Sequence, residues 1–196
     1  MDTIHLKILS VSLRQLVPIT LVHKQPAFPL RWHNYTRPIS YRIPRQWHSW
    51  LHDKGSLTQR LIQASKGDFA VRVVRNSWGM PSQSEAQALG LKPRQKAIIR
   101  EVELLCYGEA WVCARSVIPS GTMKGALRKL KDIGDKPLGA LLFTYADMRR
   151  GPLQVACLQE ANNKAQYWAR RSVFYVSDRG ILVTEVFMPP MANIVP

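Results

Sequence analysis

Two apolar stretches near the end of the chain, separated by a short turn sequence, constrain the fold more than any other feature. Residues 172–176 and 180–188 are rich in apolar side chains, and the turn between them reads Ser177-Asp178-Arg179-Gly180. Alternating apolar runs predict β-strands, and turn residues between two such runs predict a hairpin. Strands joined by a hairpin are antiparallel, so this part of the chain belongs to an antiparallel sheet.

A single carboxylate, Glu185, interrupts the second of these strands. Because side chains alternate between the two faces of a strand, Glu185 shares its face with Ile181, Val183 and Phe187. A carboxylate on an apolar face is unfavourable unless a cation or a hydrogen-bond donor contacts it. Glu185 is therefore a candidate site residue.

The preceding part of the chain adds four strands and several short helices. Alternation predicts strands over 69–75, 97–106, 110–118 and 153–160. Helices are predicted over 44–52, from Ser56 with Gln59 as its capping-box partner, over 82–89, from Thr122 to Gly134, and over 137–143. Together these elements predict the α+β class: a single six-stranded antiparallel sheet with helices packed on one face.

The first 42 residues differ in composition from the rest of the chain. They contain four prolines, one acidic residue and no sustained periodicity. We interpret residues 1–42 as a basic, poorly ordered N-terminal extension with a short helix near 4–16. Residues 43–196 form the predicted folded domain, which is long enough to bury a core without disulfides.

Cysteine and histidine placement excludes several kinds of site. The three cysteines form no CxxC pair, which indicates a reducing compartment, such as the cytoplasm, and no structural zinc site. All five histidines lie within the first 52 residues, so Ser-His or Cys-His catalysis is not expected in the core. No apolar run approaches the roughly 20 residues that a membrane helix needs, and no nucleotide-binding glycine motif is present.

The net charge of +15 is compatible with two classes of partner. A strongly basic protein binds polyanions through counterion release, but the chain has no recognisable nucleic-acid-binding motif. A basic enzyme that takes an anionic small molecule explains the charge at least as well. The nucleic-acid alternative predicts steeply salt-dependent polyanion binding.

Arg100 is the second candidate site residue. It shares the apolar face of its strand with Val102 and Leu104, whereas Glu101 and Glu103 point to the opposite face, which we expect to be solvated. An inward-facing arginine needs a carboxylate, from either the protein or a ligand. The alternative is an edge arginine whose charged end reaches water.

Arg100 and Glu185 allow two interpretations together. They can form a buried structural ion pair with no chemistry, or they can line a pocket that an anionic ligand completes. The adjacent Arg170 and Arg171 must face opposite sides of their strand, so at most one of them faces such a pocket. We expect the other arginine of this pair to be solvated.

Residues 43–190 resemble the bacterial chorismate pyruvate-lyase family. The matching segments include Gly55-Ser56-Leu57-Thr58-Gln59-Arg60-Leu61, Arg100-Glu101-Val102, Trp111-Val112-Cys113-Ala114-Arg115-Ser116-Val117-Ile118-Pro119, Gly134-Asp135-Lys136-Pro137-Leu138-Gly139, Trp168-Ala169-Arg170-Arg171-Ser172 and Val183-Thr184-Glu185-Val186-Phe187-Met188-Pro189. Each segment alone is weak, but their order and spacing are specific. Residues 1–42 have no counterpart in the resemblance.

The resemblance implies an enzyme that converts chorismate to 4-hydroxybenzoate and pyruvate at the entry to ubiquinone synthesis. It implies a metal-free, cofactor-free site enclosed by helical flaps. We expect the protein itself to be a cytoplasmic monomer. Carried over, Arg100 holds the ring carboxylate and Glu185 lies at the hydroxyl end. Leu57 and Met123 belong to the two flap segments; the family often has Met and Leu, respectively, at these positions.

A related fold serves as the effector-binding domain of some bacterial transcription regulators. This gives the alternative function, a non-catalytic module that binds a small anion. Such a module should lie beside a winged-helix DNA-binding domain. The extension here is too short and too rich in proline for one, so we rank this alternative second.

Overall fold

Eight strands of one antiparallel sheet form the centre of the structure, a computed structural model that describes residues 31–35, 43–159 and 165–194. The strands are β1 (His33–Asn34), β2 (Phe69–Gly79), β3 (Ala97–Cys106), β4 (Glu109–Pro119), β5 (Arg149–Arg150), β6 (Gln154–Gln159), β7 (Gln166–Val176) and β8 (Arg179–Phe187). Their order is β1-β6-β7-β8-β4-β3-β2, and β5 pairs with β7. All pairings are antiparallel, which confirms the predicted α+β class.

The predicted count of six strands is too low by two. The six long strands correspond to the six predicted ones, although β7 begins at Gln166 rather than at residue 172. The two additional strands, β1 and β5, contain two residues each, too few to show any periodicity. β1 lies within the predicted extension, where it pairs with β6. The helix predicted near 4–16 lies outside the described residues, and the boundary at 43 stays a prediction.

The described residues also contain four short α-helices and three 3₁₀ segments. The helices are α1 (Arg45–His52), α2 (Leu57–Ala64), α3 (Gln83–Ala88) and α4 (Leu138–Leu142), and the 3₁₀ segments are Ser120–Thr122, Gly125–Asp132 and Pro189–Asn193. As predicted, the Ser56 hydroxyl caps α2 by accepting a hydrogen bond from the Gln59 N–H at 3.4 Å. No described helix is long and apolar enough to cross a membrane.

The single helix predicted from Thr122 to Gly134 is wrong. Thr122 does not cap a helix: it ends the 3₁₀ segment Ser120–Thr122, and its hydroxyl donates a hydrogen bond to the Gly180 carbonyl at 3.1 Å. Gly125 has a φ of +57°, a left-handed conformation that interrupts a right-handed helix. The segment Gly125–Asp132 is 3₁₀ instead, and its apolar residues Leu127 and Leu130 are buried as expected.

Most of the helical structure covers one face of the sheet, which we call the pocket face. Two apolar clusters join it to the sheet: Trp50, Leu51 and Leu61 pack with residues of β3 and β8, and Leu130 and Leu142 pack with residues of β7 and β8. The prediction that all helices share this face is wrong for α3. Its end packs on Ala97, Ile99 and Val117, which point to the opposite face, the back face.

The expectation that Glu101 and Glu103 are solvated is also wrong. Both point to the back face, as the alternation predicts, but both are buried there. The buried Arg115 guanidinium donates hydrogen bonds to Glu101 and, at 2.7 Å, to the Glu85 carboxylate on α3. Glu103 pairs with Arg72. Alternation identifies the face of a residue, but it does not show which other element covers that face.

Glu85 has two roles in this back-face ion network. It completes a capping box at the start of α3 with Ser82, and it accepts hydrogen bonds from Arg115. Burial alone would raise the pKa of Glu85, but the Arg115 hydrogen bonds and charge, together with Ser82, outweigh burial and lower it. The network therefore connects α3 to the middle of the sheet.

Replacing Arg115 with Leu should destabilise the protein strongly, because Glu85 and Glu101 would stay buried without their cation. We expect a loss of about 3–5 kcal/mol in the free energy of unfolding, measured by urea denaturation at pH 7. The matched control is Arg149→Leu, since Arg149 forms an exposed ion pair with Asp178; its loss should stay within about 1 kcal/mol.

The same comparison has a defined pH dependence. A carboxyl whose pKa is lowered by folding stabilises the protein above its unfolded-state pKa, which for Glu85 is 4.5. That contribution is lost as the pH falls through the lowered folded-state value. The difference in the free energy of unfolding between the native protein and Arg115→Leu should therefore become smaller in acid. At pH 7, equal losses of unfolding free energy in the Arg115→Leu and Arg149→Leu variants would refute a stabilising network.

Candidate active site

A pocket lies between the pocket face of the sheet and helices α2 and α4. Its floor comes from β3, β4, β7 and β8, and its cover includes Leu57, Leu138 and Phe143. About 550 Å³ of atom-free space lies among the lining residues, including the mouth that opens to solvent.

The strand register arranges the floor of the pocket in two adjacent rows of cross-strand neighbours. The Arg100 row consists of Arg100, Ser116, Val183 and Ser172, and the Glu185 row consists of Val102, Ala114, Glu185 and Arg170. Each row crosses β3, β4, β8 and β7 in that order. The sequence-predicted Arg100 and Glu185 therefore lie on one surface, two strands apart.

Arg100 is only 1% exposed, yet it has no carboxylate partner among the described residues. Its terminal nitrogens donate hydrogen bonds to the carbonyls of Gly134 and Lys136 at 2.8 and 3.0 Å. Its Nε is the one buried side-chain nitrogen or oxygen without a hydrogen-bond partner in the described parts of the chain. Burial lowers the pKa of Arg100, partly offset by the charge of Asp135.

Glu185 forms its ion pair with Arg170, not with Arg100. The Arg170 Nε donates to Glu185 Oε2 at 2.5 Å. The Arg170 Nη1 donates to the carbonyls of Trp50 and Asp53 at 2.6 and 2.7 Å. The interpretation of a structural Arg100–Glu185 pair is therefore wrong. Arg170 is 1% exposed and joins Glu185 to the end of α1.

Arg171 points to the back face, as expected for the neighbour of Arg170, but it is not solvated. Its guanidinium donates to Gln154 and to Ser84 of α3, both at 2.8 Å. Burial lowers the pKa of Arg171 to about 10, although the Glu85 charge acts in the opposite direction. The expectation of one solvated arginine in this pair is wrong because α3 covers the back face.

Of the two predicted flap residues, the structure places one in the pocket lining. Leu57 lines the pocket from the first turn of α2. Met123 is buried in the apolar cluster that contains Phe174 and Val183, two lining residues, but it does not itself line the pocket. Its membership of a flap stays a prediction.

Sequence reasoning did not single out the lining residues Leu138 and Arg150. Leu138 belongs to the helix predicted over 137–143 and to a segment of the resemblance, but neither assigned it to a pocket. Arg150 is in a two-residue strand, and no alternation could assign it to a face. The Arg150 Nε donates to the Ser172 hydroxyl at 3.1 Å, and its Nη1 donates to the Asp53 carbonyl at 3.3 Å.

The three described histidines, His33, His48 and His52, lie outside this pocket. His48 Nε2 lies 2.8 Å from the Ile43 carbonyl, and His52 stacks on Tyr35. The described residues contain no cluster of three or more His, Cys, Asp or Glu side chains arranged to hold a metal ion. The polar groups of the pocket are guanidinium, carboxylate and hydroxyl groups, so the arrangement can bind anions and hydroxyl groups.

Comparisons with known proteins agree with the resemblance seen in the sequence. The sequence model of the family described as chorismate lyase matches residues 32–194. A probable chorismate pyruvate-lyase from Methylococcus capsulatus is 36% identical over 156 residues, which cover 74% of this chain and 96% of the relative. One from Marinobacter nauticus is 40% identical over 140 residues, covering 71% of this chain and 74% of the relative.

A solved structure with a similar fold is the effector domain of PhnF from Mycobacterium smegmatis. Its TM-score is 0.53 at 16% sequence identity, over 69% of this chain and 90% of that domain. At this identity the likeness concerns the fold alone.

The two buried arginines of the pocket should differ in their effect on stability. Arg170→Met leaves the Glu185 carboxylate and the Trp50 carbonyl without their donor, so we expect a loss of about 3–5 kcal/mol. Arg100→Met removes a cation that has no carboxylate partner and leaves only the Gly134 and Lys136 carbonyls without their donor, so its loss should be smaller than that of Arg170→Met. Urea denaturation of both variants without ligand checks this order, and the reverse order would contradict the assigned pairing.

Proposed function

The chain belongs to the chorismate lyase family, and we propose that it is a chorismate pyruvate-lyase that cleaves chorismate into 4-hydroxybenzoate and pyruvate. The observation that carries the proposal is the arrangement of Arg100 and the Glu185–Arg170 pair on one pocket floor. A cation without a carboxylate partner lies in one row, and a carboxylate held by its own cation lies in the next. Such a site fits a ligand with a carboxylate at one end and a hydroxyl at the other.

Arg100 binds the ring carboxylate. A guanidinium presents several N–H donors in a plane and suits a carboxylate better than an ammonium does. The unpartnered Nε supplies a donor for this contact without breaking the bonds to Gly134 and Lys136. Because the group is already buried, its interaction with a ligand carboxylate is weakly screened.

Apolar side chains between these polar groups receive the ring. Val102 and Val183 belong to the pocket floor, and Leu57 and Leu138 contact the same space from the helices. They exclude water from the reacting atoms and limit the orientations that the ring can take.

The chemistry requires little covalent help from the protein. In chorismate the carbon–oxygen bond to the enolpyruvyl group breaks, and the adjacent hydroxyl-bearing carbon loses its hydrogen as a proton. The electrons of that C–H bond complete the aromatic ring, and the departing enolpyruvyl group takes up a proton to become pyruvate. Glu185 either accepts the ring proton or orients the hydroxyl group, and both roles suit a carboxylate held by Arg170.

The proposal also covers the setting of the enzyme. We propose a cytoplasmic monomer without metal or cofactor, whose product 4-hydroxybenzoate enters ubiquinone synthesis. The reducing environment indicated by the cysteines supports the cytoplasm. An enclosed pocket that holds a charged carboxylate supports slow product release.

Purified protein incubated with chorismate in EDTA should release 4-hydroxybenzoate and pyruvate in equal amounts. Chromatography quantifies the first product, and a coupled lactate dehydrogenase assay quantifies the second. No turnover, together with thermal stabilisation by 4-hydroxybenzoate, would favour the non-catalytic anion-binding module. Neither turnover nor stabilisation would refute the proposed ligand class.

The two site residues should give different kinetic signatures. Arg100→Gln should lower kcat/KM for chorismate and the affinity for 4-hydroxybenzoate, each by about 10- to 100-fold, because both ligands carry the ring carboxylate. Glu185→Gln should lower kcat by at least about 100-fold if Glu185 moves the proton, and by less if it only orients the hydroxyl.

The exposed Arg149→Gln variant is the charge-matched control, and its kinetics should equal those of the native protein. Full turnover and full affinity in Arg100→Gln would exclude Arg100 as the carboxylate-binding residue. Isothermal titration with 4-hydroxybenzoate separates the binding effect from the kinetic one.

A further inference from the structure

The pocket contains more positive charge than the Arg100 and Glu185 assignments use. Three guanidinium groups, those of Arg100, Arg150 and Arg170, line it together with the single carboxylate of Glu185 among the described lining residues. Glu185 pairs with Arg170, and Arg100 is assigned to the ring carboxylate. Arg150 therefore remains a pocket cation with no assigned anion.

Arg150 is held at a defined position. Its Nε donates to the Ser172 hydroxyl at 3.1 Å, and its guanidinium lies over the Phe174 ring, 4.9 Å from the ring centroid. The Nη1 atoms of Arg150 and Arg170 both donate to the Asp53 carbonyl, at 3.3 and 2.7 Å, respectively. Two guanidinium groups thus converge on one oxygen, so a second anion at this end of the pocket would be favourable.

No carboxylate of the described residues lies within ion-pair distance of Arg150. Burial and the charge of Arg170 lower the pKa of Arg150, and the charges of Glu185 and Asp53 act in the opposite direction. The three partners of its guanidinium, a hydroxyl, a carbonyl and a ring face, are all neutral. Arg150 therefore resembles Arg100 in being a positioned cation whose charge the protein does not neutralise.

The Arg100 row connects the two cations without carboxylate partners, although Arg150 itself lies on β5, opposite Phe174 of β7. Arg100 begins the Arg100 row on β3, and Ser172, which contacts Arg150, ends it on β7. Three strand spacings separate the ends, roughly 14 Å between backbones.

The chemistry of the substrate matches this layout. Chorismate has two carboxylates: one is on the ring, and the other is on the enolpyruvyl group, whose ether carbon is adjacent to the hydroxyl-bearing carbon. If Arg100 binds the ring carboxylate and Glu185 contacts the hydroxyl, the enolpyruvyl group lies at the Glu185–Arg170 end. Arg150 lies at that end.

We propose that Arg150 binds the enolpyruvyl carboxylate of chorismate and thereby distinguishes the dianionic substrate from the monoanionic product. This inference rests on the proposed function. After the carbon–oxygen bond breaks, the second carboxylate belongs to pyruvate, so 4-hydroxybenzoate keeps its contact with Arg100 and makes none with Arg150. The residue thus contributes to substrate binding and orientation but not to product affinity.

The test compares substrate kinetics with product binding in the full-length protein. Arg150→Gln should raise the KM for chorismate by about 10- to 100-fold, the effect of one lost charge-assisted carboxylate contact. The Kd of 4-hydroxybenzoate, measured by isothermal titration, should change by less than about 3-fold. Arg150→Lys keeps the positive charge and should recover part of the lost kcat/KM.

Arg149→Gln is the matched control, because it removes the neighbouring exposed arginine of the same strand and should leave both quantities unchanged. A parallel loss of chorismate and 4-hydroxybenzoate affinity in Arg150→Gln would overturn the inference, since it would indicate a structural effect through Asp53 and Ser172. An unchanged KM for chorismate would overturn it as well. If Arg150→Gln does not fold, the same KM-to-Kd comparison in Arg150→Lys decides.

Failure of the proposed function gives a different result. In that case the native protein does not release pyruvate from chorismate, whatever residue is present at position 150. The inference about Arg150 is tested only by the difference between variants of an active enzyme.

Discussion

The arrangement of the pocket depends on the buried guanidinium of Arg170. The Nε of this one side chain on β7 donates to the Glu185 carboxylate, and its Nη1 donates to the Trp50 and Asp53 carbonyls, which joins the sheet to the end of α1. Those carbonyls end α1 and lead into α2, which carries Leu57 over the pocket. A single buried cation therefore sets the position of the candidate catalytic carboxylate and of part of the cover. Lysine would not be equivalent, because Glu185 and the two carbonyls are contacted by two different nitrogens of the guanidinium, whereas an ammonium has all its donors on one nitrogen.

Arg100 and Arg150 have the opposite energetic character. Their burial is opposed by desolvation, which lowers the pKa of both groups, and no described carboxylate forms an ion pair with either of them. In the free protein these cations reduce the stability that the same space could give if it were filled by apolar side chains. An anionic ligand supplies the missing charge, so binding and folding stability are linked. The site is thus preorganised for an anion at the expense of the stability of the empty fold.

Alternation and turn signals in the sequence were sufficient to assign Arg100 and Glu185 to one face of an antiparallel sheet, because these two signals depend only on neighbours along the chain. The partner of Glu185 could not be predicted in this way. It depends on the register between β7 and β8, which places Arg170 directly opposite Glu185. The burial of Glu101 was missed for a related reason, since α3 covers the back face through non-local contacts. Arg150 was missed because a two-residue strand shows no period.

The ion network on the back face explains why the register of the pocket is so well defined. A back-face row of cross-strand neighbours, Glu101, Arg115, Thr184 and Arg171, lies between the Arg100 row and the Glu185 row. A slip of one residue in β3 would move Arg100 out of the pocket and bring Glu101 into it. The same slip would separate Glu101 from Arg115 and leave buried charges unpaired, which is strongly unfavourable. In apolar strands alone, neighbouring registers differ less in free energy. The buried ion pairs on one face of the sheet therefore specify the order of charged groups on the other.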